Sequence, residues 1–153
     1  MAYAVTEIYE QIRAQALSLT QTQLGVDADP YGLLMEIGYP PAAVSLFSAA
    51  DGAASLCFSN GGGMIGAGEH QSVAAAAKKF VQAAGLHRHD MGAATEFPLP
   101  EPGETRFCVL TATGVLTAAA PEEALGRRRH PLWPLFYAGQ DVLTAMRETQ
   151  QLG

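Results

Sequence analysis

Three short apolar runs, at residues 33–37, 43–49 and 54–59, are separated by gaps of only five and four residues. Parallel neighbours need a connection of a dozen residues or more, so runs this close pair antiparallel. Asp51-Gly52 sits in the second gap, and that pair tolerates the positive φ angles of a tight hairpin turn. Alternation then assigns the faces: Val44 and Leu46 point inward on one strand, Leu56 and Phe58 on the next.

Helical periodicity brackets these strands. Val5, Ile8, Ile12, Ala16 and Leu19 recur at spacings of three and four, predicting a helix over 4–23 with Glu7, Glu10 and Arg13 on its solvent side. Residues 25–32 carry Asp27, Asp29 and Pro30 and read as a loop. A second helix is predicted over 70–84, its stripe made of Val73, Ala77, Phe80, Val81 and Ala84 and its stop at Gly85. Residues 98–103 form a stiff Pro-rich loop, and 106–111 with 115–119 form a second hairpin turning near Thr113-Gly114. A last helix begins around Pro131 or Pro134, since proline suits a first turn. At 153 residues the chain is expected to be a single domain over 1–153. Its expected fold class is α+β: an antiparallel sheet of about five strands sandwiched with three helices, in the order α-β-β-β-α-β-β-α.

That element order, and best of all the strand, Asp51-Gly52, strand and helix succession, resembles the roadblock, longin and profilin-like group of small domains. The likeness covers most of the chain in outline. It implies a dimerising platform for partner proteins. The 98–103 loop and the basic run at 127–130 have no counterpart in it.

Composition removes several function classes. Net charge is −6, and residues 1–77 carry all of it, with seven acids against Arg13 alone. Nucleic-acid binding draws most of its affinity from phosphate neutralisation, so no nucleic-acid partner is expected. Glycine and proline break every long uncharged run and no apolar leader opens the chain, so neither a membrane span nor a secretory signal is expected, and the expected location is cytoplasmic. Cys57 and Cys108 lack a CxxC spacing and read as reduced, buried thiols. Charged residues are 16% of the chain, below the roughly 25% of average composition. That sparsely charged surface is one a protein partner would cover.

Four segments are candidates for chemistry. Gly61, Gly63 and Gly66 satisfy G-x-G-x-x-G, and with Gly62 and Gly68 they form the candidate ligand-binding run. Against a dinucleotide, the run follows an antiparallel hairpin; against a phosphate loop, Gly66 precedes Ala67-Gly68 instead of Lys and Ser or Thr. A glycine turn leading into a short strand, Met64-Ile65, is the preferred reading. His87, His89 and Asp90 could share a metal if they stood on one side of a strand, but an exposed loop is preferred, and no metal and no cofactor are expected. Arg127, Arg128 and Arg129, followed by His130, form the chain's one basic cluster, suited to an anion or to the acidic surface of a partner. Finally, Leu132, Leu135, Phe136, Gly139, Val142, Leu143 and Met146 make a helical stripe, and Trp133 and Tyr137 fall outside it among polar residues. Large aromatics on a polar face point to a contact patch, unless the 121–130 segment folds back over them.

No G-x-S-x-G, H-E-x-x-H or S-x-x-K is present, and no catalytic residue is assigned. The expected function is therefore a non-enzymatic protein-binding or regulatory module, self-associating as a homodimer, with Trp133, Tyr137 and the three arginines as its contact residues. An acidic neutraliser of a toxin or other effector is one version of it. The alternative is a sensor of a small anionic ligand, nucleotide or phosphate, closing the 61–68 glycines and the 127–130 run on it.

Overall fold

The computed structural model describes residues 2–64 and 66–152; Ile65, half of the expected Met64-Ile65 strand, lies outside them. Five long strands are present: β1 (Gly32–Tyr39), β2 (Ala42–Ala49), β3 (Ala54–Phe58), β6 (Glu104–Thr111) and β7 (Gly114–Pro121). Two short ones, β4 (Gly63–Met64) and β5 (Gly92–Ala94), complete one antiparallel sheet in the order β4–β3–β2–β1–β6–β7–β5. Three long helices, α1 (Glu7–Leu17), α3 (Gln71–Leu86) and α5 (Trp133–Leu152), and two short ones, α2 (Gln21–Leu24) and α4 (Glu122–Gly126), surround it. The α+β antiparallel architecture is thus as expected, with two more strands and two more helices than the pattern showed.

One face of the sheet holds the main core. Odd residues Leu33, Met35 and Ile37 of β1 stand beside Leu46 of β2 and Phe107 and Val109 of β6, all buried beneath α3 and α5. The full predicted stripe of α3 is buried here, and burying Val73, Phe80 and Val81 contributes about 1.5–3 kcal/mol each, the two alanines less. Gly139 explains how closely α5 settles: a Cβ there would stand 2.6 Å from the Met35 Sδ and 3.0 Å from the Phe80 ring. Leu46 pairs with Leu56 and Val44 with Phe58, but of these four expected inward residues Leu46 alone is fully buried, Leu56 packs on the margin of the core, and Val44 and Phe58 are half-buried outside it. Gly85, however, does not end α3, which runs on to Leu86; a Cβ there would stand 3.1 Å from the Pro30 ring.

The opposite face is covered by α1, and here a sequence expectation fails. Glu36 lies at the centre of β1, fully buried, opposite Ser45 and Arg106. Arg13, expected on the solvent side, instead reaches inward: its Nε and Nη2 donate to the two Glu36 carboxylate oxygens at 2.8 Å each. Ser45 Oγ donates to the same carboxylate at 2.6 Å, so its contact with the Tyr9 hydroxyl at 2.6 Å has the tyrosine as donor. Arg13 Nη2 also donates to the Phe97 carbonyl at 2.7 Å. The 95–103 segment leaves β5 at the sheet edge and returns to β6 past β7, and this bond fixes that crossover on the α1 face.

The helix predicted over 4–23 is two helices because its polar residues cap internal ends. Ser18 Oγ donates back to the Ala14 carbonyl, and Thr20 with Gln23 forms a reciprocal capping box that starts α2.

Removing one partner of a buried ion pair strands the other charge, at a cost of about 3–5 kcal/mol. Arg13→Ala is therefore expected to lose stability of that order in urea unfolding, whereas Arg13→Met with Glu36→Leu recovers most of it. A single variant within about 1 kcal/mol of wild type would show that α1 is held by something else.

Candidate functional site

Of the residues chosen from sequence, Arg127, Arg128, Arg129, Trp133 and Tyr137 lie within eleven consecutive positions, at the corner where α4 turns into α5. Glu122 and Glu123 open α4 where acids suit the positive helix end. The helix stops in a Schellman motif: the Arg128 amide donates to Leu125 and the Arg129 amide to Ala124, at 3.1 and 2.8 Å. The residue this motif places in the left-handed region is usually glycine; here it is Arg128, with φ of 59°. Arg128 is the one non-glycine with positive φ among the described residues, and that conformation costs about 1–2 kcal/mol. His130 then shapes the start of α5, its Nδ1 accepting the Leu132 amide at 3.1 Å.

Trp133 and Tyr137, one helical turn apart, meet edge to face with ring centroids 5.9 Å apart. The 121–130 segment does fold back over them, so they are not the open aromatic patch expected but two partly covered rings. The Tyr137 hydroxyl donates to the Gly126 carbonyl, and the Arg128 guanidinium lies 4.8 Å from the Trp133 ring and 5.4 Å from that of Tyr137. Both aromatics are half-buried, Tyr137 packing on the margin of the core. Arg127 pairs with Glu123 at 3.4 Å, and Arg127, Arg128 and Arg129 are all exposed.

The glycine run lies elsewhere. It joins β3 to α3 through β4 and a single 3-10 turn (Ala67–Glu69), so α3 begins only at Gln71 and the run does not open directly into a helix. Two of its glycines have steric reasons to be there. A Cβ on Gly63 would fall 2.1 Å from the Leu56 carbonyl oxygen, and one on Gly68 would fall 2.3 Å from that of Gly52. Gly61 and Gly62 instead close the turn: the Gly61 amide donates to Phe58 and the Gly62 carbonyl accepts from it. Gly61, Gly62 and Gly63 themselves line a cavity of about 260 Å³, together with Thr6, Ile8, Tyr9, Ile12, Cys57 and Phe58, and no lining residue is charged to hold an anion. Gly66 has φ of 77° and begins the 3-10 turn. Four strands separate β4 from β7, about 24 Å at ~4.8 Å per step, so the glycines and the arginines stand at opposite ends of the sheet.

His87 and His89 lie in and beside a 3-10 turn (Arg88–Asp90) after α3, on no strand, and both approach the same Asp90 Oδ2, at 3.5 and 3.4 Å. Among the described residues no group of three or more His, Cys, Asp or Glu is placed to hold a metal ion. Cys57 and Cys108 are buried free thiols. Burial pushes the Cys57 thiol up; burial first, and then the Glu36 carboxylate, pushes that of Cys108 up to about 11.

No known family model, curated protein or solved structure matches the chain.

Gly63→Ala is expected to destabilise by more than about 1 kcal/mol, read from the urea midpoint, since it meets backbone and not a movable side chain. The folded Cys108 thiol keeps its proton up to about pH 11, whereas an unfolded thiol loses it near 9.0. Stability is therefore expected to fall between those values, by about 1.4 kcal/mol per pH unit. Unfolding free energies at pH 8 and above 10 would check it, as would silence of both thiols toward a disulfide reagent in native protein at pH 8.

Proposed function

We propose that this chain is a cytoplasmic, non-enzymatic protein-binding module, pairing with a second copy of itself and using the α4–α5 corner as its contact surface. The observation that carries the reading is the contact of exposed Arg128 with the half-buried Trp133 and Tyr137, between exposed Arg127 and Arg129, on a chain with net charge −6. Aromatic residues and arginine are the side chains most enriched where truncation weakens protein contacts. A basic corner on an acidic molecule also has an electrostatic counterpart in every other copy, because residues 1–77 hold seven acids and one base. The likeness of the element order to roadblock, longin and profilin-like domains belongs to the same reading, with the sheet and its helices as a dimerising platform. No helix among the described residues is long and apolar enough to cross a membrane.

Trp133→Ala is expected to lower the mass seen in sedimentation, or the yield of a co-purifying protein, while the thermal midpoint moves only a few degrees. Arg127→Glu with Arg129→Glu should act the same way and remove the salt dependence. A Trp133→Ala chain that fails to fold would make the indole a core residue and end this reading. Tyr137→Phe removes one hydrogen bond and is expected to cost about 1 kcal/mol.

A further inference from the structure

Arg128 is a residue the local backbone does not favour. At the left-handed position of a Schellman motif glycine is unstrained, yet the chain places there a side chain that lies across two rings. Strain of this kind persists where the surroundings over-determine it and gathers at binding sites. Arg13, Arg88, Arg106 and Arg127 each have a carboxylate within 4.0 Å, whereas among the described residues Arg128, Arg129 and Arg147 have none, and of these three Arg128 is the one that lies over aromatic rings. Its guanidinium thus sits against Trp133 and Tyr137, whose rings stand 80° to each other, on an exposed residue with N–H donors that no acid among the described residues takes up. A planar fork with restricted freedom is suited to grip a carboxylate through two parallel hydrogen bonds. Exposed Arg127 and Arg129 on either side raise the local positive potential.

Resting on the protein-binding reading above, we propose that Arg128, set against Trp133 and Tyr137, is the recognition residue for a carboxylate side chain on an acidic segment of a partner protein. The acidic class follows from charge: three exposed arginines repel basic segments. The rings supply the apolar floor that a carboxylate-bearing side chain covers as it docks.

The chain's single tryptophan is Trp133, so its emission reads the site directly. Titration with a hexaglutamate peptide at low salt is expected to give a saturable change in that emission. Hexalysine should give none, and inorganic phosphate should need at least tenfold more ligand. Arg128→Lys keeps the charge but loses the planar fork; Arg128→Gly removes the side chain and relaxes the backbone, so it should fold at least as stably as wild type. Both are expected to weaken hexaglutamate at least tenfold, while Arg147→Lys, an exposed arginine outside the corner, stays within twofold. The proposal is overturned if the wild-type emission does not respond at millimolar peptide. It fails equally if either Arg128 variant binds like wild type, or if phosphate matches the peptide. Should the Arg128 variants bind normally while Trp133→Ala still abolishes association, this inference falls and the binding-module reading stands. Loss of neither takes both down.

Discussion

The pair between Arg13 and the fully buried Glu36 is the constraint around which this molecule is arranged. A carboxylate buried at the centre of β1 needs a cation and further donors in place of the water it has lost. Arg13, Ser45 and Tyr9 provide them from two other elements. Their geometry decides where α1 lies, because Tyr9 and Arg13 are on its inner side one turn apart. The same guanidinium ties down the Phe97 carbonyl, so the crossover from the sheet edge to its centre is held by the bond that holds α1. Hydrophobic burial secures the α3–α5 face and would do so with many sequences. The α1 face is specified by a polar network in which each member depends on the others.

This contrast explains which parts of the fold could be read from the sequence. The α3 stripe and the pairing of Leu46 with Leu56 were legible because periodicities of 3.6 and 2 are local signals. Glu36, in contrast, interrupts an apolar run, and Arg13 lies 23 residues away with other polar residues beside it. Nothing local says that these two charges meet, so the natural reading placed Arg13 in solvent. The break between α1 and α2 could have been found, since Thr20 and Gln23 spell a capping box. β5 could not: three small residues, Gly92, Ala93 and Ala94, become a strand only because β7 offers them an edge.

The two candidate sites show the same divide. The glycine run matched a nucleotide pattern, yet Gly63 and Gly68 are glycines because carbonyl oxygens of Leu56 and Gly52 pass close by. A pattern of small residues records backbone crowding as readily as ligand binding. The α4–α5 corner matched no pattern. It was found from aromatics standing off a helical stripe, and their half-burial under Arg128 came from a backbone turn that composition does not reveal.

Arg128 also bears on how such a corner could bind without being sticky. A bare Trp–Tyr pair on the surface would invite any apolar partner. Laid across them, a guanidinium shields the rings from non-specific contact while it presents charge outward. A partner that satisfies that charge gains a desolvated ion pair and the ring faces together. One that brings only apolar surface must first displace the arginine from two rings. Selectivity then comes from the obstacle as much as from the attraction, and the left-handed backbone at 128 is what keeps the obstacle in place.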